Sequence, residues 1–175
     1  MIKALNIKTF ILSIGFTFLM FKLSAQNTEP VNTYPKTVGY ISIVHPLVTF
    51  DESGTTTNFT DSYIVGFPVG IHILKSDKFG FSLEIVPFIK SNSSSDKVSN
   101  VLIHPGVMFR LPKSWTIYTR MAFETSGRYG ITPSISKMLY KGKSSSVFAS
   151  VPFPLRFGNN KPVSVGVSFQ FGLTF

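Results

Sequence analysis

Five charged residues carry the chemistry this chain can place out of water: Glu84, Arg110, Arg120, Glu124 and Arg156. All stand at even-numbered positions in segments that alternate apolar and polar residues, so in an extended chain they share the polar face. A charge enclosed in a narrow interior must find a partner, because an unpaired buried charge is costly. Hairpin pairing is expected to set Glu84 opposite His104 or Gly106, with Arg120 one strand further. Carboxylate and guanidinium then meet across the small gap left at Gly106. The set reads first as a salt-bridge network that fills a lumen, and second as a proton or solute path. The three histidines, His45, His72 and His104, show no close metal-ligand spacing, and each reads as a lone strand residue. No set of residues has a recognisable catalytic spacing. His45 with a loop serine is the only loose analogue of a lipid-modifying site. There is no cysteine, which excludes disulfides and thiolate metal sites, and no cofactor is expected.

The elements that must hold these residues are strands. From Pro162 to Phe175 the chain alternates without a break. Val163, Val165, Val167, Phe169, Phe171, Leu173 and Phe175 take one side, and Ser164, Gly166, Ser168, Gln170, Gly172 and Thr174 the other. A period of two over this length is a strand signal, and a wholly apolar face opposite a small polar one suits lipid outside and a polar barrel interior. Seven further strands are expected, over 37–50, 61–74, 79–90, 98–111, 115–125, 130–139 and 146–157. In the second, Tyr63, Val65, Phe67, Val69, Ile71 and Ile73 face out. The faces of the first stay unassigned, because both parities of Gly39 to Val44 are apolar.

The connections sort by length. Tight turns follow the second and fourth strands (Lys75–Lys78 and Pro112–Ser114), whereas longer Ser/Thr-rich loops, 51–60 and 91–97, follow the first and third. Eight strands with alternating short and long connections match a membrane barrel whose two ends lie on one side. Prolines at 46, 68, 87, 105, 133, 152 and 154 oppose this, since each removes a ladder donor, and they predict bulges or strand breaks. Phe79, Phe109, Trp115 and Phe175 are expected near one rim; Phe50, Tyr63, Phe123 and Phe157 near the other.

Residues 1–25 read as a secretory signal peptide: Lys3 and Lys8, an apolar run from Phe10 to Phe21, and the small-residue site Ser24-Ala25-Gln26. The run is shorter than the roughly 20 residues that span a bilayer. Residues 26–36 form a short polar leader outside the barrel, and 37–175 the barrel domain. Cleavage removes three lysines and no acid, so the formal charge falls from +9 to +6. That excess could favour an anionic lipid or polysaccharide surface; no nucleic-acid motif is present. The sequons Asn58-Phe59-Thr60 and Asn92-Ser93-Ser94 carry no weight in a bacterial-type exported protein. A soluble lipocalin-like barrel with its apolar face inward around a greasy ligand is the competing architecture. The polar face lacks the Lys/Glu density of a soluble surface, which favours the membrane.

The signal peptide ending Ser24-Ala25-Gln26, the Phe175 terminus and the eight alternating segments together resemble the small bacterial outer-membrane β-barrels typified by the OmpA membrane domain, OmpX and OmpW. The resemblance spans nearly the whole chain after residue 25 and is architectural. It implies an eight-stranded antiparallel up-and-down transmembrane β-barrel in the cell outer membrane. Outer-membrane lipids, lipopolysaccharide and a barrel-assembly machinery that reads Phe171, Leu173 and Phe175 are the implied partners. Barrels of this kind often hold an internal charged cluster. The expected role is structural or interactive at the surface, with a narrow channel as the alternative and a lipid-modifying enzyme third. Architecture alone does not decide among them.

Overall fold

A computed structural model describes residues 33–60, 62–92 and 95–175. The signal peptide expected over 1–25, and the leader as far as residue 32, lie outside the described residues.

Eleven strands form one antiparallel sheet: β1 (Lys36–Asp51), β2 (Gly54–Thr57), β3 (Tyr63–Gly66), β4 (Val69–Leu74), β5 (Phe79–Asn92), β6 (Ser95–Leu111), β7 (Trp115–Glu124), β8 (Tyr129–Lys141), β9 (Ser146–Pro152), β10 (Leu155–Phe157) and β11 (Ser164–Thr174). The strands pair antiparallel in order round the sheet, and the sheet closes on itself. β1 pairs β11 antiparallel from Tyr40↔Thr174 to Phe50↔Val165. Phe175 extends this seam by exchanging backbone bonds of 2.9 and 3.0 Å with Gly39. β3 with β4, and β9 with β10, are single staves interrupted near prolines, and β2 is a flap on β1. The result is an eight-stave up-and-down barrel. The near rim is where β1 begins and β11 ends; the far rim is where β1 ends and β11 begins.

Strand parity decides what each side chain meets. Ser164, Gly166, Ser168, Gln170 and Gly172 are buried inside, while Val165, Phe169, Phe171 and Leu173 are exposed outside. The first strand's faces resolve the same way: Tyr40, Ser42 and Val44 are buried, whereas Ile41 and Ile43 are 48% and 44% exposed. An outside made of Ile, Val, Leu and Phe around a polar inside is the inverse of a soluble barrel. Backbone groups in hydrocarbon can be satisfied only in helices or closed sheets, and this sheet is closed. The chain is an eight-stranded transmembrane β-barrel, and the lipocalin-like alternative has its faces reversed. The expected aromatics lie at the expected ends: Phe79 packs on Phe109 with centroids 5.4 Å apart at the near rim, and Tyr129 on Phe157 at 6.2 Å at the far rim.

The prolines sit where the ladder can spare a donor. The second stave breaks at Phe67–Pro68, the seventh at Phe153–Pro154, and β1 shifts register between Pro46 and Val48. A proline still offers its carbonyl. Pro68 accepts from Ser42 N–H at 2.9 Å, Pro87 from Phe67 at 3.0 Å, Pro133 from Phe153 at 2.8 Å and Pro154 from Gly166 at 2.8 Å. The strands therefore survive, because the missing N–H is lost on one side only while the acceptor side stays bonded.

Several boundaries differ from the sequence expectation. The loop expected over 51–60 contains β2, which pairs β1 from Val48↔Thr57 to Asp51↔Gly54. The loop expected over 91–97 is drawn into a ladder that runs to Asn92↔Ser95. Ser and Thr are compatible with extended chain, so polarity alone did not mark a loop there. The sixth strand is longer than expected and spans Tyr129–Lys141. In the turn between β6 and β7, Lys113 and Ser114 take φ of 57° and 63°. The leader is not wholly outside: Tyr34 packs against Leu74, Met108 and Tyr118 at the near mouth, and its hydroxyl donates to Asp77.

The far rim is uneven. β6 pairs β7 no further than Leu102↔Glu124, so β5 and β6 rise above their neighbour. On the other flank β1 meets β3 only at Val44↔Gly66 before turning to β2. Buried Asn58 stitches this gap: its Oδ1 accepts from Ile64 N–H at 2.8 Å and its Nδ2 donates to Ile64 O at 2.7 Å. The side-chain amide replaces one rung of a ladder. Asn58→Ala is expected to expose both backbone groups of Ile64, at about 1–3 kcal/mol locally. Amide exchange at Ile64 should accelerate about tenfold or more while the β5–β6 amides keep their rates. Unchanged exchange at Ile64 would remove Asn58 from that role.

Candidate functional site: the filled lumen

The lumen is built around Glu84. Its even position on β5 points it inward, where it is 3% exposed. β6 places His104 directly opposite, the first of the two positions expected. Tyr40 on β1 donates its hydroxyl to Glu84 Oε2 at 2.8 Å. His104 Nδ1 lies 3.0 Å from Oε1, and Gln170 Nε2 on β11 donates to Oε2 at 3.1 Å. Arg120 on β7 reaches across: its Nη1 is 4.0 Å from Glu84 Oε1, its Nε donates to Ser82 Oγ at 3.0 Å, and its Nη2 to the Tyr40 hydroxyl at 3.3 Å. Tyr40 thus accepts from the cation and donates to the anion. A guanidinium and carboxylate at 4.0 Å with this shared hydroxyl form one charge-assisted network.

The reach of Arg120 depends on Gly106, its cross-strand partner on β6. A Cβ there would stand 2.8 Å from Arg120 Cγ and 2.3 Å from the Thr119 carbonyl oxygen. The bare backbone is the opening through which the arginine crosses from β7 over β6 to Ser82 on β5. The gap read at this position from the sequence is present, and Glu84 and Arg120 meet over it.

A second pair stands toward the far rim. Arg156 Nε donates to Glu124 Oε1 at 2.7 Å. Thr132 couples the two centres, since its hydroxyl oxygen lies 2.8 Å from His104 Nε2 and accepts from Arg156 Nη1 at 3.0 Å. Glu124 also accepts from Asn100 Nδ2 and Ser126 Oγ, both at 2.8 Å. Four of the five expected charges therefore belong to one continuous network. Arg110 does not. It has the inward parity but stands at the end of β6 on the near rim, exposed. Parity assigns a face and says nothing about depth.

Apolar layers flank the polar centre. Val44, Val86, Leu102 and Ala122, with Phe88 against them, form one on the far side. Leu74, Met108 and Tyr118, with Tyr34 and Val38, form the other at the near mouth. Beside the far layer, lined by Val44, Val86 and Leu102 as well as Glu84, His104 and Gln170, is a cavity of about 50 Å³. About 10–15 Å³ of such space holds one water, so the cavity takes a few waters.

His104, read from the sequence as a lone strand residue, is bound at both ring nitrogens. His72 stacks on Tyr40 with centroids 4.5 Å apart. His45 faces outward, and its Nδ1 meets the Tyr63 hydroxyl at 2.7 Å rather than a loop serine. Among the described residues, no group of three or more His, Asp or Glu side chains is placed to hold a metal. The sequence reading missed Tyr40, Ser82, Thr132 and Gln170. All four share the even parity, and closure of the last strand on the first is what carries Tyr40 and Gln170 to Glu84.

No family model matches this chain, and no curated protein matches it. Solved structures similar to it include the de novo designed TMB2.3, determined in solution by NMR: TM-score 0.45, 9% identity, covering 81% of this chain and 93% of that one. A chain described under the de novo design of transmembrane β-barrels is similar at TM-score 0.43 and 12% identity, covering 82% of this chain and 97% of that one.

Proposed function

We propose that this protein is a barrel of the bacterial-type outer membrane whose lumen is filled rather than open, with a structural or surface-interaction role and no catalytic one. The observation that carries this reading is the layering of the interior. A polar centre in which Glu84, Arg120, Glu124 and Arg156 are all bonded has apolar layers on either side, and the cavity found beside it among the described residues is about 50 Å³. A solute path needs continuous space, and eight staves leave room for side chains and little else. The uneven far rim supports the interactive part of the role, because Val98 on the raised β6 and Phe59 in the loop after β2 are 62% and 65% exposed. Exposed apolar side chains above a membrane girdle suit contact with a partner or with lipopolysaccharide. Phe171 and Leu173, 47% and 41% exposed, face outward on the closing strand, where an assembly machinery can read them.

The purified protein in a planar bilayer is expected to give no steady unit conductance. A reproducible open level would overturn the filled lumen and establish the channel alternative. Outer-membrane fractionation with heat-dependent gel mobility in detergent tests the location: recovery as a free soluble species would end the reading.

A further inference from the structure

The two mouths of the barrel differ in charge. The near-rim turn after β4 holds Lys75 and Lys78, the turn after β6 holds Lys113, and the turn after β8 holds Lys143. The strand ends beside them add Lys36, Arg110, Lys137 and Lys141. Against these eight bases stands one acid, Asp77. The far-rim segments, counted along the sequence, hold five bases and five acids. Arg120 and Glu84 cancel in the lumen and Glu29 in the leader removes one, so the whole excess of +6 beyond the signal segment comes from one end.

None of these bases is in an ion pair among the described residues. The three ion pairs of the structure all lie in the lumen, and none includes a near-rim base. Asp77 is engaged by the Tyr34 hydroxyl. The bases also stand directly beyond outward-facing aromatics. Trp115 is 39% exposed, and the Lys137 ammonium lies 4.8 Å from its ring centroid. Phe79 and Phe109 pack together on the neighbouring staves. Aromatics mark the level where hydrocarbon gives way to headgroups, and long basic side chains keep their heads at that level. The near-rim turns are short, so the lysines stay close to the membrane plane instead of projecting toward a soluble partner.

We propose that the near rim is a binding surface for anionic phospholipid headgroups in the leaflet it meets. This rests on the membrane reading given above. A cluster of bases at a bilayer surface concentrates acidic lipids, and the attraction falls off within a Debye length.

The chain's single tryptophan, Trp115, is a reporter at the right place. The full-length barrel is folded into vesicles of phosphatidylcholine and phosphatidylglycerol, with bromine on the acyl chains of one lipid or the other. Brominated phosphatidylglycerol is expected to quench Trp115 as though enriched about threefold over its mole fraction. High salt should bring the enrichment back to unity with no substitution at all. The variant carrying Arg110→Gln, Lys113→Gln, Lys141→Gln and Lys143→Gln should do the same, with Lys137 kept because it touches the indole. Equal quenching by the two lipids would overturn the proposal while leaving the barrel in the membrane. Enrichment that survives both salt and the four substitutions would overturn the assignment to these bases. Quenching by neither lipid would overturn the membrane reading, and the proposal with it.

Discussion

Arg120→Ala lowers the barrel's unfolding free energy by about 3–5 kcal/mol, the range for breaking a buried ion pair by removing one partner. The reason is what it leaves behind. Glu84 and Arg120 are 3% and 4% exposed, and with the guanidinium gone the carboxylate keeps only hydroxyl, imidazole and amide partners. Ser82 Oγ and the Tyr40 hydroxyl each lose a donor as well. Denaturant unfolding in detergent or vesicles, followed by the gel shift between folded and unfolded forms, measures the loss. The companion variant Glu84→Gln with Arg120→Met removes both charges of this pair and is expected to recover most of it. Recovery would show that the single substitution acts through a stranded charge and not through lost volume. A barrel indifferent to Arg120→Ala would mean that the network contributes nothing to stability.

Gly106→Val costs about 3 kcal/mol or prevents folding, at the upper end for overpacking. A Cβ at this position meets the Thr119 carbonyl oxygen at 2.3 Å and Arg120 Cα at 2.6 Å. Both are backbone atoms of the paired strand, so no rotamer change relieves the contact, and β6 must separate from β7 where they pair. Shortening the crossing side chain does not make room. Gly106→Val combined with Arg120→Ala should therefore be no more stable than Gly106→Val alone. If removing the arginine restores stability, the obstacle is the flexible guanidinium stem and the glycine serves the side chain rather than the strand pair.

These two variants touch the part of the site that was most legible in advance. Gly106 could be placed against Arg120 because strands joined by a tight turn have a register counted from the turn, whereas Glu84 could be placed only opposite His104 or Gly106, because the longer segment 91–97 joins its strand to theirs. Lys75–Lys78 sets β4 against β5, and Pro112–Ser114 sets β6 against β7. Arg110 shows where such counting stops. It has the parity of the lumen and the location of the rim, because parity is a property of the strand while depth depends on where the barrel wall ends. The segments 51–60 and 91–97 were misread for a related reason. Thr favours extended chain and Ser tolerates it, and whether either extends into a ladder depends on a partner strand to receive it.

Alternation with a period of two determined where most strands lie, the faces of those that alternate cleanly and the inversion of polar and apolar sides, because side-chain direction in an extended chain is a local property. What waited on the tertiary structure was everything that depends on closure. The seam between β1 and β11 brings Tyr40 and Gln170 to Glu84 from opposite ends of the chain. Thr132 links two ion pairs only because the strands that carry them curve round to face one another across the lumen. The apolar layers at either mouth likewise draw on residues from several staves at once. Contacts across a closed sheet depend on its circumference and tilt, which no single segment encodes.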